Sequence, residues 1–257
     1  MSEVTSHKPG TPSWADVSTT DIPAATAFYT ALFGWTATQV MEPEAGGYTM
    51  LAKNGKLVAG MGPTQGQPTS WMSYVTVEDA DAAARKVREA GGTVMMEPFA
   101  VMTAGRMAVC QDPTGAVFAI WQAQEHIGAQ LVNEPGALCW TELQTRDVEK
   151  AKAFYNKVFG WGAETHTGDV PYTEWKLDGQ SIGGMMPMGP QIPAQVPPHW
   201  VVYIGTADCD ASTAKATELG GTVMVPPMDI QEGLRFSLIT DPQGGMVGLL
   251  QMAGMTG

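Results

Sequence analysis

Basic residues are scarce in this chain: 14 Lys and Arg stand against 26 Asp and Glu, a formal charge of −12, and nowhere do the cations cluster. Such a surface repels a polyanion, so nucleic acid is not an expected partner, and solubility is the plainer meaning of the acidity. Cysteine is scarce too. Cys110, Cys139 and Cys209 are odd in number, scattered and without CxxC spacing. That excludes a disulfide framework or a cysteine zinc site and points to reduced, half-buried thiols. No apolar run approaches the roughly 20 residues that cross a bilayer. The stretch Met1–Lys8 lacks the apolar segment of a secretory signal, so no membrane partner and a cytoplasmic location are expected. There is no nucleophile elbow, Walker A loop, HExxH or dinucleotide fingerprint, and glycine pairs such as Gly183-Gly184 lack the strand–GxGxxG–helix context.

What is present suits two globular cores: 257 residues, 44% hydrophobic and 16% charged. The chain is a tandem repeat. Trp14–Asp21 and its continuation through Phe28-Tyr29 to Phe33-Gly34-Trp35 recur at Trp140–Asp147, Phe154-Tyr155 and Phe159-Gly160-Trp161, with 10 of 22 positions identical at an offset of 126. Ser70-Trp71 answers His199-Trp200, Gly91–Val94 answers Gly220–Val223, and Asp112-Pro113 answers Asp241-Pro242, all at an offset of 129. Indels fall in loops, where they cost least.

A weaker half-repeat lies inside each unit, Asp21 to Asp79 at an offset of 58 and Asp147 to Asp208 at 61. Each Asp stands where an N-cap belongs, and the 3-4 spacing of Val148, Ala151, Phe154, Tyr155 and Val158 predicts a helix packed by one face on a sheet. Gly160 and Gly91-Gly92 are expected stops. Asn54-Gly55 joins Tyr48–Lys53 to Lys56–Gly62, Asp178-Gly179 joins Tyr172–Leu177 to Gln180–Met186, and Asp112–Gly115 joins Arg106–Gln111 to Ala116–Trp121, each read as a hairpin. Each unit therefore reads βαβββ-βαβββ, an α+β class. The units are placed at 12–123 and 136–252 around a linker at 124–135, and Pro187–Pro198 reads as a mobile rim.

This order of elements, with the Trp-x-Asp/Glu strand, the Asp-capped Phe-Tyr…Phe-Gly-Trp helix and Asp-Pro-x-Gly before the last strand, resembles the vicinal oxygen chelate superfamily of glyoxalases, bleomycin-resistance proteins and ring-cleaving dioxygenases, in its tandem actinobacterial form. The resemblance implies two domains, each an eight-stranded sheet curved around a cup. In metal-dependent members the ligands lie seven residues before each capping Asp and seven after the Asp of Asp-Pro. Here those positions hold Trp14, Met72 and Ala119, then Trp140, Val201 and Gly248. None is the imidazole or carboxylate donor that a divalent ion needs. The usual metal site is therefore expected to be absent and no cofactor is expected, leaving a divalent metal only a non-standard site. Nor do the four histidines replace it. His7 lies in the N-terminal stretch, His126 in the linker and His166 by an early strand without a nearby partner, while His199 is two residues off the ligand position.

Strand alternation extends the cup-facing direction to Asp16 and Glu142, to Tyr74 and Tyr203, and to Trp121, with Leu250 in the second unit. Arg106 and Arg235 correspond at an offset of 129, with their facing open. The functional reading is an aromatic pocket lined by Trp14, Tyr74, Trp121, Trp140, His199 and Tyr203, with an arginine in each domain, and Asp16 or Glu142 as amine anchor or base. The structural reading is that the aromatics fill the cup and the acids pair with Arg106 and Arg235. Three functions remain open. The first is metal-independent binding of a small molecule by a monomer with internal pseudo-symmetry, or by a homodimer. The second is a glyoxalase-like lyase, isomerase or oxygenase using Glu142, Asp16 or a relocated metal. The third is an interaction or antigenic module with vestigial cups.

Overall fold

The four capping aspartates organise the chain. In this computed structural model, which describes residues 3–168 and 171–255, Asp21, Asp79, Asp147 and Asp208 accept from the backbone N–H three residues on, at 2.9, 2.8, 3.0 and 2.9 Å. They open α1 (Ile22–Phe33), α2 (Ala80–Glu89), α3 (Val148–Phe159) and α4 (Cys209–Glu218). The Asn54-Gly55 and Asp178-Gly179 turns take positive φ at both central residues, as tight hairpins require.

The first sheet comprises β1 (Pro12–Thr19), β2 (Thr36–Gln39), β3 (Thr49–Lys53), β4 (Lys56–Pro63), β5 (Ser70–Thr76), β6 (Thr93–Val101), β7 (Gly105–Gln111) and β8 (Val117–Ala123). Its spatial order is β2-β3-β4-β1-β5-β8-β7-β6. The second sheet repeats that order with β9 (Leu138–Thr145), β10 (Gly162–His166), β11 (Tyr172–Leu177), β12 (Gln180–Pro187), β13 (His199–Gly205), β14 (Thr222–Gln231), β15 (Leu234–Thr240) and β16 (Met246–Met252). The first strands of the two halves of each sheet pair antiparallel at its centre, β1 with β5 and β9 with β13. The first sheet curls: β3 and the β6–β7 turn would lie about 30 Å apart in a flat sheet, yet Met50 and Met102 line one cavity.

Alternation assigns the two faces. Ala15 and Val17 of β1 join α1 in a core that also takes in Val202, Ile204, Ile239, Val247 and Leu249 of the second sheet. A matching core joins α2, Ala108 and Phe118 to α3, Trp175 and Trp200. The domains thus pack back to back through their helical faces, the first half of one against the second half of the other, and the cups open outward.

Two reciprocal hydrogen-bond chains cross this joint. Tyr155 Oη donates to Asp112 Oδ2 at 2.9 Å and accepts from Trp200 Nε1 at 3.0 Å. Tyr29 Oη donates to Asp241 Oδ2 at 2.7 Å and accepts from Trp71 Nε1 at 2.9 Å. The other oxygen of Asp112 accepts the N–H groups of Thr114, Gly115 and Ala116, so a tight turn and the domain joint share one carboxylate. Burial, and then the facing aspartate, hold both phenols well above the usual tyrosine range, so the protons stay on Tyr29 and Tyr155.

The linker residues are packed rather than free. Ala129 N–H donates to Ser13 O at 2.8 Å, Gln130 N–H to Leu57 O at 2.7 Å, and Val4 N–H to Gln130 O at 3.0 Å, which lays the segment across the first sheet. The three cysteines are free and buried, more fully than the half-burial expected. The Pro-rich loop is tied down by Arg146, which donates to the carbonyls of Ile192, Pro193 and Val196.

Tyr155→Phe keeps the ring but leaves a buried carboxylate oxygen and an indole N–H without their partner. It should cost about 1–3 kcal/mol, seen in urea melts as a shifted midpoint. An unchanged midpoint would show that the chain across the joint contributes no stability.

Candidate functional site

Each cup is built around an acid held by two phenols. In the first, Tyr74 Oη and Tyr48 Oη donate to Asp16 Oδ2 at 2.8 and 3.0 Å, and Trp14 Nε1 donates to Tyr48 Oη at 3.1 Å. In the second, Tyr203 Oη lies 3.4 Å and Gln144 Nε2 3.3 Å from Glu142 Oε1, Tyr172 supports the same carboxyl, and Trp140 Nε1 donates to Tyr172 Oη at 2.8 Å. Both acids are buried. Burial raises Asp16 to about 6, opposed by the bonds from Tyr74 and Tyr48, and raises Glu142 in the same direction.

Tyr48 and Tyr172 escape the sequence reading as site residues, although they recur at an offset of 124. Gly60 and Gly184 recur with them, and a Cβ at either would collide with the tyrosine hydroxyl. These glycines allow each phenol to lie on the strand and reach the acid.

The arginines do not take part. On β7, Met107 faces the cup cluster while Ala108 faces the helices, so Arg106 lies on the helical side and bonds Asp81 of α2 at 2.9 Å. Arg235 likewise bonds Asp210 of α4 at 2.7 and 3.0 Å and Asp229 at 3.0 Å. The reading in which Asp16 and Glu142 pair with these arginines is therefore not found: tyrosine hydroxyls meet the acids, and the arginines brace each sheet against its helix.

Trp14, Tyr74 and Trp121 are brought together with Ala119 and Ala129 and are buried, as a packed layer rather than a pocket wall. In the second cup Tyr203 packs with Val201, Leu238 and Leu250, and Trp140, Phe236 and Met255 lie against them. His199 stands on the cup face of β13, at the edge beside Gln144, with Nδ1 2.9 Å from Pro197 O and Nε2 buried without a partner among the described residues. His166, for which no partner was expected, lies 3.2 Å from Glu174.

Above the first layer sits His126, which nothing in the sequence marks. Its ring meets Trp14 edge-on at 4.5 Å and Trp121 at 5.7 Å, and its carbonyl accepts from Trp121 Nε1 at 2.9 Å. Burial, and then nearby His7, lower it to about 4, so it is neutral at pH 7. His126 forms part of the floor of a cavity of about 730 Å3 at the mouth of the first cup. Met50, Leu57, Met102 and Ile127 give it apolar surface, and Glu3, Glu42, Glu44 and Glu125 edge it. Lys56, the one cation in the lining, is paired with Glu3 at 2.9 Å. Trp14, Asp16, Tyr74 and Trp121 lie beneath this cavity and do not line it.

The family's metal positions do not fit a metal here. Register places Tyr74 opposite both Trp14 and Ala119, and Tyr203 opposite both Trp140 and Gly248, so a tyrosine stands between the positions that would have to converge. A Cβ at Gly248 would strike the Tyr203 ring. Among the described residues no three His, Cys, Asp or Glu side chains come together to hold an ion.

Asp16 makes a pH prediction with a definite sign. Its folded pKa lies above the ordinary 3.8, so the folded chain keeps a proton that the unfolded chain releases. The stability it contributes is full below about pH 4 and lost as pH rises through about 6. Asp16→Asn removes that dependence. Between pH 4 and 7 wild type should lose about 2–3 kcal/mol relative to the variant in urea melts. Parallel pH profiles would show that the carboxyl is not held protonated.

Comparison with known proteins accords with this geometry. The model of the "Glyoxalase/Bleomycin resistance protein/Dioxygenase superfamily" matches residues 11–120 and again 137–249. A Mycobacterium tuberculosis protein provisionally named a glyoxylase, CFP32, is 42% identical over 98% of this chain and 99% of its own length. The anthracycline biosynthesis protein DnrV of Streptomyces peucetius is 38% identical over 97% of this chain and 96% of its own. The Mn(II)-bound glyoxalase of Novosphingobium aromaticivorans shares the fold, with a TM-score of 0.67 at 16% identity, over 97% of this chain and 84% of that one. Two copies of the motif set, two sheets of the same strand order and full-length relatives lead to one conclusion: the chain belongs to the glyoxalase/bleomycin resistance protein/dioxygenase superfamily, as a tandem pair of its domains.

Proposed function

We propose that the protein binds a small organic molecule with an apolar body and a cationic group at the mouth of its first cup, without the metal site usual in the family. The observation that carries this reading is the cavity of about 730 Å3 with an apolar floor and four glutamates at its edge, one of them paired. Its size is that of a small-molecule pocket. A cation there gains from carboxylates that lie within one Debye length, about 8 Å at physiological salt. The name of the Streptomyces relative, which places it in the making of an organic small molecule, accords with this reading. Both halves of the family's two-domain arrangement are present in one chain, which supports a binding unit that is a monomer with internal pseudo-symmetry, a homodimer being the alternative.

Thermal-shift and calorimetric titration with aromatic amines and their neutral N-acetyl analogues tests the proposal. The amines should stabilise the protein, the analogues should bind about tenfold more weakly, and Glu42→Gln/Glu44→Gln/Glu125→Gln should remove the difference. Equal binding of amine and analogue, or no stabilisation by either, overturns it. Elemental analysis of protein purified without chelators should find no stoichiometric transition metal; one equivalent would overturn the metal-free part.

Asp16 supports a second reading, because a buried carboxyl poised near 6 suits proton transfer. Its counterpart Glu142 would act likewise in the second cup. In a chain that turns over a substrate, Asp16→Asn and Glu142→Gln should separate the cups by which one abolishes kcat. Turnover unchanged in both variants would exclude either acid as the base.

A further inference from the structure

We propose that the groove between the domains, where the β7–β8 turn meets α3, is a site for a small organic dianion carrying carboxylate or phosphate groups at both ends. Two adjoining cavities of about 610 and 330 Å3 lie there and share Pro113, Thr114 and Lys150. Lys150 and Lys157 line the larger one and stand two turns apart on one face of α3, about 10 Å along the axis. Lys157 donates to the carbonyl of Glu89 across the joint, which leaves further protons on its ammonium. Lys150 has no partner among the described residues. By contrast Lys152, on the same helix, is paired with Glu149 at 2.8 Å. Of the acids of the lining, Asp112 is buried with its oxygens engaged by its turn and Tyr155, while the exposed Asp147 caps α3 with one oxygen through Lys150 N–H.

The internal repeat supplies the control. The same joint is built a second time between α1 and the β15–β16 turn, with the same Tyr–Asp–Trp chain. At the positions of Arg146, Lys150 and Lys157 the first unit carries Thr20, Ala24 and Ala31. The joint therefore forms without these cations, although here Lys157 also bonds the Glu89 carbonyl and Arg146 the Pro-rich loop. Arg146 lines the smaller cavity and holds the Pro-rich loop as its end wall.

A dianion suits the site better than a polyanion. The chain carries −12 overall, and anything extending beyond the groove meets that field. Within the groove itself the lining carries Lys150, Lys157 and Arg146 against Asp112 and Asp147.

Calorimetric titration of the full chain with succinate and with adipate, at low ionic strength, tests this. One equivalent of either should bind. Lys150→Ala/Lys157→Ala should weaken it about tenfold or more, and Lys86→Ala/Lys215→Ala, an equal charge change outside the groove, by no more than about twofold. Absence of binding, or equal weakening by the two double variants, overturns the proposal.

Discussion

The phenol of Tyr155, suspended between the Asp112 carboxylate and the Trp200 indole, and its twin at Tyr29 are the bonds on which the arrangement of the molecule depends. Each joins a helix of one domain to a turn of the other, and the carboxylate that accepts it also closes the turn. A buried carboxylate without donors is costly, so the domains are most stable where the tyrosine completes the set. That condition sets the helical faces together and leaves both cups facing away from the joint. The apolar cores on either side, each drawn from opposite halves of the two domains, supply the bulk of the burial, while the hydrogen-bond chains fix the relative placement.

Within the cups the same chemistry satisfies a buried acid. Phenols converge on one acid in each cup. A hydroxyl can satisfy a buried acid without adding charge, so burial raises both carboxyls while the phenols oppose that rise. Gly60, Gly184 and Gly248 are the backbone counterpart of this choice, since each makes room for a tyrosine ring. The cups have nonetheless diverged. The first is roofed by the interdomain segment with His126 and opens into an acid-edged cavity. The second keeps Gln144 and a His199 whose Nε2 is buried and unpartnered among the described residues, where the first has Ser18 and Ser70. Duplication kept the frame and released the linings to change separately, and the lysines of the interdomain groove show the same freedom.

The amino-acid order by itself determined the repeat, the caps and the hairpins, because each of these is written in short spacings or in the identity of a single residue. Alternation also set Asp16, Tyr74, Glu142 and Tyr203 on one face with the positions that the family resemblance turns to the cup. Only the tertiary structure decided that Arg106 and Arg235 turn to the helices, because a one-residue change of register would have sent both into the cups. Tyr48 and Tyr172 were brought to the acids by a strand neighbouring β1 or β9 at one remove, a contact that no local pattern announces. His126 and the lysines of α3 acquired their settings from segments far away in the chain. The physical reason is common to them: a side chain's partners across a sheet or a domain joint are set by how whole elements dock, and docking is a property of the assembled surfaces rather than of any stretch of residues.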